Sequence, residues 1–132
     1  MTHPPRFDED DPFLGRVREL ALALPGAAEK VSHGHPNFFT TKVFAIYGGV
    51  VKGDHASDAY RQSVLVKPDE DERLALLEET RCFVPGYYGP SGWVGVNFRA
   101  AQPDWAEIGE LLDMSFRNTA PQRLVRELDA RG

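Results

Sequence analysis

The chain has 132 residues, 42% hydrophobic and 27% charged, which suits one soluble globular domain with a single core. Its net charge of −5 runs against a dedicated DNA-binding domain, whose non-specific affinity comes from neutralising phosphates. One cysteine, Cys82, excludes an internal disulfide framework and any cysteine-based metal motif.

The opening MTHPPRFDEDDPF is polar and acidic, so no signal peptide is expected, and no apolar run approaches the roughly 18 residues of a membrane span. Together with the lone cysteine this points to the cytoplasm. Residues 1–9 read as a flexible tail of a single domain spanning 1–132. Asp11 followed by Pro12 predicts a helix start, with Phe13, Val17, Leu20, Ala21 and Leu24 as its apolar stripe and Pro25-Gly26 as its end. From Ala28 the pattern becomes strand-like, with strands expected near 29–33, 37–41, 42–47 and 62–67. Gly34-His35-Pro36 reads as a turn, Gly48-Gly49 as a turn or bulge, and 53–61 as an exposed connection.

A second helix is predicted to begin at Pro68 or Asp69, with Glu70, Asp71 and Glu72 complementing its dipole and Leu74, Leu76 and Leu77 buried. Cys82 to Gly86 reads as a bend, followed by Tyr87, Tyr88 and a strand from Gly92 to Arg99. Asp104 and Glu107 resemble a capping box for a third helix lined by Trp105, Ile108, Leu111, Leu112, Phe116 and Thr119. Pro121 interrupts it and starts a short fourth helix carrying Leu124, Val125 and Leu128. The fold class expected from this order is α+β, a twisted antiparallel sheet with helices packed on one face.

The segment Glu29 to Ala45 holds the densest set of chemical side chains. His33 and His35, two residues apart, would share one face of an extended strand and could meet one ligand. With Glu29 they could form a metal shell, but the spacing lacks the fixed helical step of H-E-x-x-H. The plainer alternative is two histidines that hydrogen-bond the backbone. Tyr87, Tyr88 and Trp93 surround the glycine-rich stretch 86–92 and could stack on bases or on a small ligand; core packing is the plainer use of such rings. That stretch fits neither phosphate-loop pattern, and no nucleophile stands in a recognisable triad context. No cofactor and no catalytic set are therefore expected, and a non-enzymatic role is favoured. The acidic run Asp69 to Glu72 reads as a cap and solvated face, with cation binding as the sharper alternative.

Charge is unevenly distributed. Residues 30–67 carry Lys30, Lys42, Lys52, Arg61 and Lys67 against Asp54 and Asp58, a net of +3, and 80–103 add Arg81 and Arg99 with no acid. One side of the sheet would be mildly basic if these segments lie together; ordinary scatter is the alternative.

Several pieces in order resemble the MmcQ/YjbR family of small bacterial proteins. They are Leu24-Pro25-Gly26 before Glu29, Gly34-His35-Pro36-x-Phe38, Lys42-Val43-Phe44-Ala45 and Val64-Leu65-Val66-Lys67. Gly92-Trp93-Val94, the Trp105 helix, Ser115-Phe116-Arg117 and Ala120-Pro121-x-Arg123-Leu124 continue the set, over roughly residues 13–125. The resemblance implies a frataxin/CyaY-like fold and a DNA-binding role through strand-and-loop wings. Lys42, Lys52, Lys67, Arg99, Arg117 and Arg123 would then be the nucleic-acid-binding residues, with weak, salt-sensitive binding. A small-ligand or metal-binding domain centred on His33, His35 and Trp93 is the alternative, and a protein-interaction module without catalysis is the third.

Overall fold

Helix α1 (Pro12–Leu22) begins where Asp11 accepts a hydrogen bond from the Phe13 N–H at 2.9 Å and Pro12 supplies a preset first turn. In the computed structural model, which describes residues 5–54 and 57–131, its stripe is centred on Leu14, Val17 and Ala21. Phe13, Leu20 and Leu24 flank that stripe instead of forming it. The expected tail at 1–9 and connection at 53–61 lie partly outside the described residues. Within the described part of the lead segment, the Arg6 N–H donates to Gly34 O at 2.8 Å and Phe7 packs against the core.

The strands are six, one more than expected: β1 (Ala28–Ser32), β2 (His35–Phe39), β3 (Val43–Tyr47), β4 (Ser63–Val66), β5 (Cys82–Phe83) and β6 (Val94–Asn97). They form one antiparallel sheet in the order β1-β2-β3-β4-β6-β5. Cys82-Phe83, expected as a bend, is the short edge strand β5. Helices α2 (Glu70–Leu76), α3 (Trp105–Thr119) and α4 (Gln122–Ala130) complete the chain. Leu74, expected to be buried, is 55% exposed, while Leu76 on the next side of α2 enters the core.

The β1–β2 turn is His33-Gly34, one residue earlier than the glycine and proline signals suggest, since Ser32 pairs directly with His35. Both turn residues have positive φ, 53° and 84°, as a two-residue hairpin with right-handed strand twist requires. Pro36 therefore lies inside β2. In regular register its nitrogen faces Tyr47 O of β3, where it has no proton to give. His35 Nδ1, 3.2 Å from Tyr47 O, fills that rung.

The sheet separates two apolar clusters. The larger contains Phe38, Phe44, Tyr47, Val64, Val66, Val94 and Val96 with residues from all four helices. The smaller, on the opposite face, contains Ile46, Leu65, Phe83 and Trp93, with Val43, Val51, Tyr60 and Tyr88 around them and no helical residue. Gly95 lies on this second face, where an added Cβ would fall 2.2 Å from the Phe83 ring. Ser115 of α3 ties the first face together: its Oγ donates to Phe44 O at 2.5 Å and accepts from the Lys67 N–H at 2.8 Å.

Candidate functional site

The helix-free face of the sheet is only partly covered, and the uncovered part is a cleft of about 480 Å³. Ile46 of β3 and Leu65 of β4 form its floor. Arg6, Ser32, His33 and His35 line it from the lead segment and the β1–β2 hairpin, and Val50, Gly86, Tyr87 and Tyr88 from the loops after β3 and β5. Segments distant in sequence hold this lining in place. The Arg6 N–H bond to Gly34 O fastens the lead segment to the hairpin turn, and the Gly86 N–H donates to Val50 O at 2.7 Å. Gly48 and Gly49 continue β3 past its end, bonding to Ser63 O and Tyr60 O. Gly48 has φ 89°, and an added Cβ would lie 2.8 Å from His35 Nδ1, so backbone and imidazole touch only because the residue is glycine.

His33 and Tyr87 are the two non-glycine residues with positive φ among the described residues, at 53° and 68°. Both line the same cleft. Such backbone is costly for residues with a Cβ, and it concentrates where structure serves a ligand. Tyr87 is 84% exposed, so its conformation presents the ring at the cleft mouth without burying it.

A smaller cavity of about 110 Å³ adjoins the cleft and shares Arg6, His35 and Gly49 with it; Pro5, Ser57, Asp58 and Arg61 complete its lining. His35 stands at the junction. Burial holds its imidazole below the ordinary histidine range, and the positive charges of Arg6 and Arg61 push the same way, against the hydrogen bond to Tyr47 O. The geometry thus offers an apolar floor, exposed aromatic edges and a cationic corner.

A family model described as YjbR matches residues 22–118, well over half of the chain. The chain belongs to the YjbR family. The crystal structure of Deinococcus radiodurans protein DR2400, described with the domain DUF419, is similar to it with a TM-score of 0.59 and 19% identity, over 78% of this chain and 75% of that one. At that identity the likeness shows the fold alone. No curated protein matches the chain.

In this YjbR-family chain, His33 and His35 do share a cleft, though by a different route from that expected. His33 occupies a turn rather than the strand, so the two meet through the hairpin and not through strand alternation. Trp93 does not line the cleft. It is 7% exposed and packs beneath Tyr88, ring centroids 5.6 Å apart. Glu29 is taken away from the histidines by Arg18 of α1, which grips its carboxylate at 2.7 and 2.8 Å. Among the described residues, no three His, Cys, Asp or Glu side chains converge as a metal shell. In the acidic run, Glu70 is likewise paired with Arg73 at 2.6 and 2.8 Å.

The six basic candidates are divided between elements. Lys42 precedes β3 and Lys67 follows β4, which pairs antiparallel with β3, so the two lie toward one end of the sheet. Arg99 lies beyond the opposite end of β4, donating to Gln62 Oε1 at 2.8 Å and Asp58 O at 3.0 Å. Arg117 is engaged by Asp113 and Asp129 at 2.6 and 2.8 Å. Lys52 lies in the loop after β3, and Arg123 is an exposed residue of α4. Cys82 is no nucleophile at neutral pH, since burial pushes its thiol up to about 11. Arg6 carries no local signal in the sequence, and Arg61 and the cleft glycines stand out only as a basic-segment residue and as turn or bend formers; only the strand pairing brings them to the histidines. Among the described residues, no helix is long and apolar enough to cross a membrane.

Proposed function

We propose that this YjbR-family protein is a small-molecule-binding domain whose ligand lies in the cleft on the helix-free sheet face. The observation that carries this is the convergence of His33, His35 and Arg6 with Tyr87 and Tyr88 over Ile46 and Leu65 in about 480 Å³. That volume falls in the range of small-ligand sites, which combine an apolar lining with a few polar groups that orient the ligand. The role is binding without turnover: His35 Nδ1 hydrogen-bonds a backbone carbonyl rather than activating a serine or cysteine. A frataxin/CyaY-like architecture remains part of this proposal, with the helices on one face and the cleft on the other. DNA binding has weaker support, because the six basic candidates are divided between the two ends of the sheet, the loop after β3 and helices α3 and α4, and Arg117 is held by two acids.

The test is a fragment screen by ligand-observed NMR against the wild type and Val50→Trp, which fills the cleft from its wall. Fragments should bind the wild type and be lost from the filled variant. A screen in which every hit binds both proteins equally would sink the proposal.

A further inference from the structure

The cleft and its side cavity differ in chemistry, and the difference defines a ligand. The larger space has Ile46, Leu65 and Val50 with two tyrosine rings. The smaller has two guanidinium groups, Arg6 and Arg61, and meets the larger at His35. Asp58 is the acid in its lining; it meets Arg61 at 3.7 Å with its side chain 70% exposed, a loose and solvated pairing. Burial first, and then the neighbouring Arg6 and Arg61 guanidinium groups, oppose protonation of His35.

We propose, building on the cleft as a ligand site, that its ligand is a small amphipathic acid. The apolar or aromatic body lies over Ile46 and Leu65 beside the tyrosines, and one anionic head group enters the corner formed by Arg6, His35 and Arg61. Guanidinium forks and an imidazole are suited to a carboxylate or a phosphate alike, since both offer paired oxygens. An anion there would also reverse the electrostatic pressure on His35, turning the ring into a second donor. A nucleic-acid strand fits less well, because a corner of about 110 Å³ has room for one anionic group rather than a repeating backbone.

The experiment is a titration of the ¹⁵N-labelled protein with three matched pairs: indole-3-acetate and indole-3-acetamide, benzoate and benzamide, phenyl phosphate and phenol. Amide shifts at Gly48, Gly49 and Gly86 report the cleft. The acids should bind at least tenfold more tightly than their neutral partners. Arg61→Gln should bring the acids down to the neutral partners' affinity, while binding of the neutral partners to that variant shows that the cleft still forms. Preference between indole-3-acetate and phenyl phosphate tells a carboxylate site from a phosphate site. Equal affinity of acids and neutral partners in the wild type would overturn the anion assignment and leave the cleft as a binding site. Absence of any shift at the three glycines with all six compounds would overturn both.

Discussion

At the scale of single residues, His33 and Tyr87 are held in a backbone conformation that glycine adopts at no steric cost. His33→Gly and Tyr87→Gly should therefore each stabilise the fold by roughly 0.5–1 kcal/mol, read as a higher urea midpoint. The same changes should weaken fragment binding several-fold, because each removes a side chain from a cleft wall. Lower stability in both variants would show that the side chains brace the walls instead of serving a ligand. His35 gives a pH signature. Its folded-state affinity for a proton is below that of the unfolded chain, so between the two values unfolding takes up a proton. The resulting stability is complete above about pH 6.5 and is lost as pH falls through the folded value. Urea midpoints measured from pH 7.5 to 5 should fall more steeply for the wild type than for His35→Gln. Parallel curves would remove His35 as the cause.

Among the elements, Ser115 has the largest structural role for its size. Phe44 O and the Lys67 N–H stand where the β3–β4 ladder ends, and the helical hydroxyl bridges them. Ser115→Ala leaves two backbone groups without that partner and should cost about 2–4 kcal/mol of unfolding free energy in a urea titration. Cleft binding should be unchanged, since the bridge lies on the helical face. The elements themselves were largely legible in the sequence, because capping residues and apolar periodicity act locally. Asp11-Pro12 and Asp104 mark helix starts that the structure keeps. Misplacement of the hairpin turn has a specific cause: Gly34 and Pro36 are both turn formers, and only the β2–β3 rung filled by His35 lets the proline sit in a strand. β5 was missed because two residues carry no period. The histidines and tyrosines of the cleft stood out in the sequence, but Arg6 and Arg61 did not, since nothing local marks a residue that acts after long-range pairing.

For the whole molecule, the helices cover one face and leave the other to the smaller cluster and the cleft. The charges do not follow that division, because Lys42 and Lys67 lie toward one end of the sheet and Arg99 beyond the other. Duplex DNA is therefore expected to bind weakly, with a log–log salt slope of about −2, the value for two phosphates contacted. Fluorescence titration from low to moderate salt checks this. A slope near −5 would mean that the basic candidates act together and would restore the nucleic-acid interface.

The close approach of Gly95 to Phe83 extends beyond one chain. A Cβ at position 95 would overlap the Phe83 ring as it now lies across the β5–β6 pair, so the ring would have to move. Aligned relatives should therefore show covariation, with any side chain at 95 accompanied by a smaller residue at 83, even though the two positions are twelve residues apart.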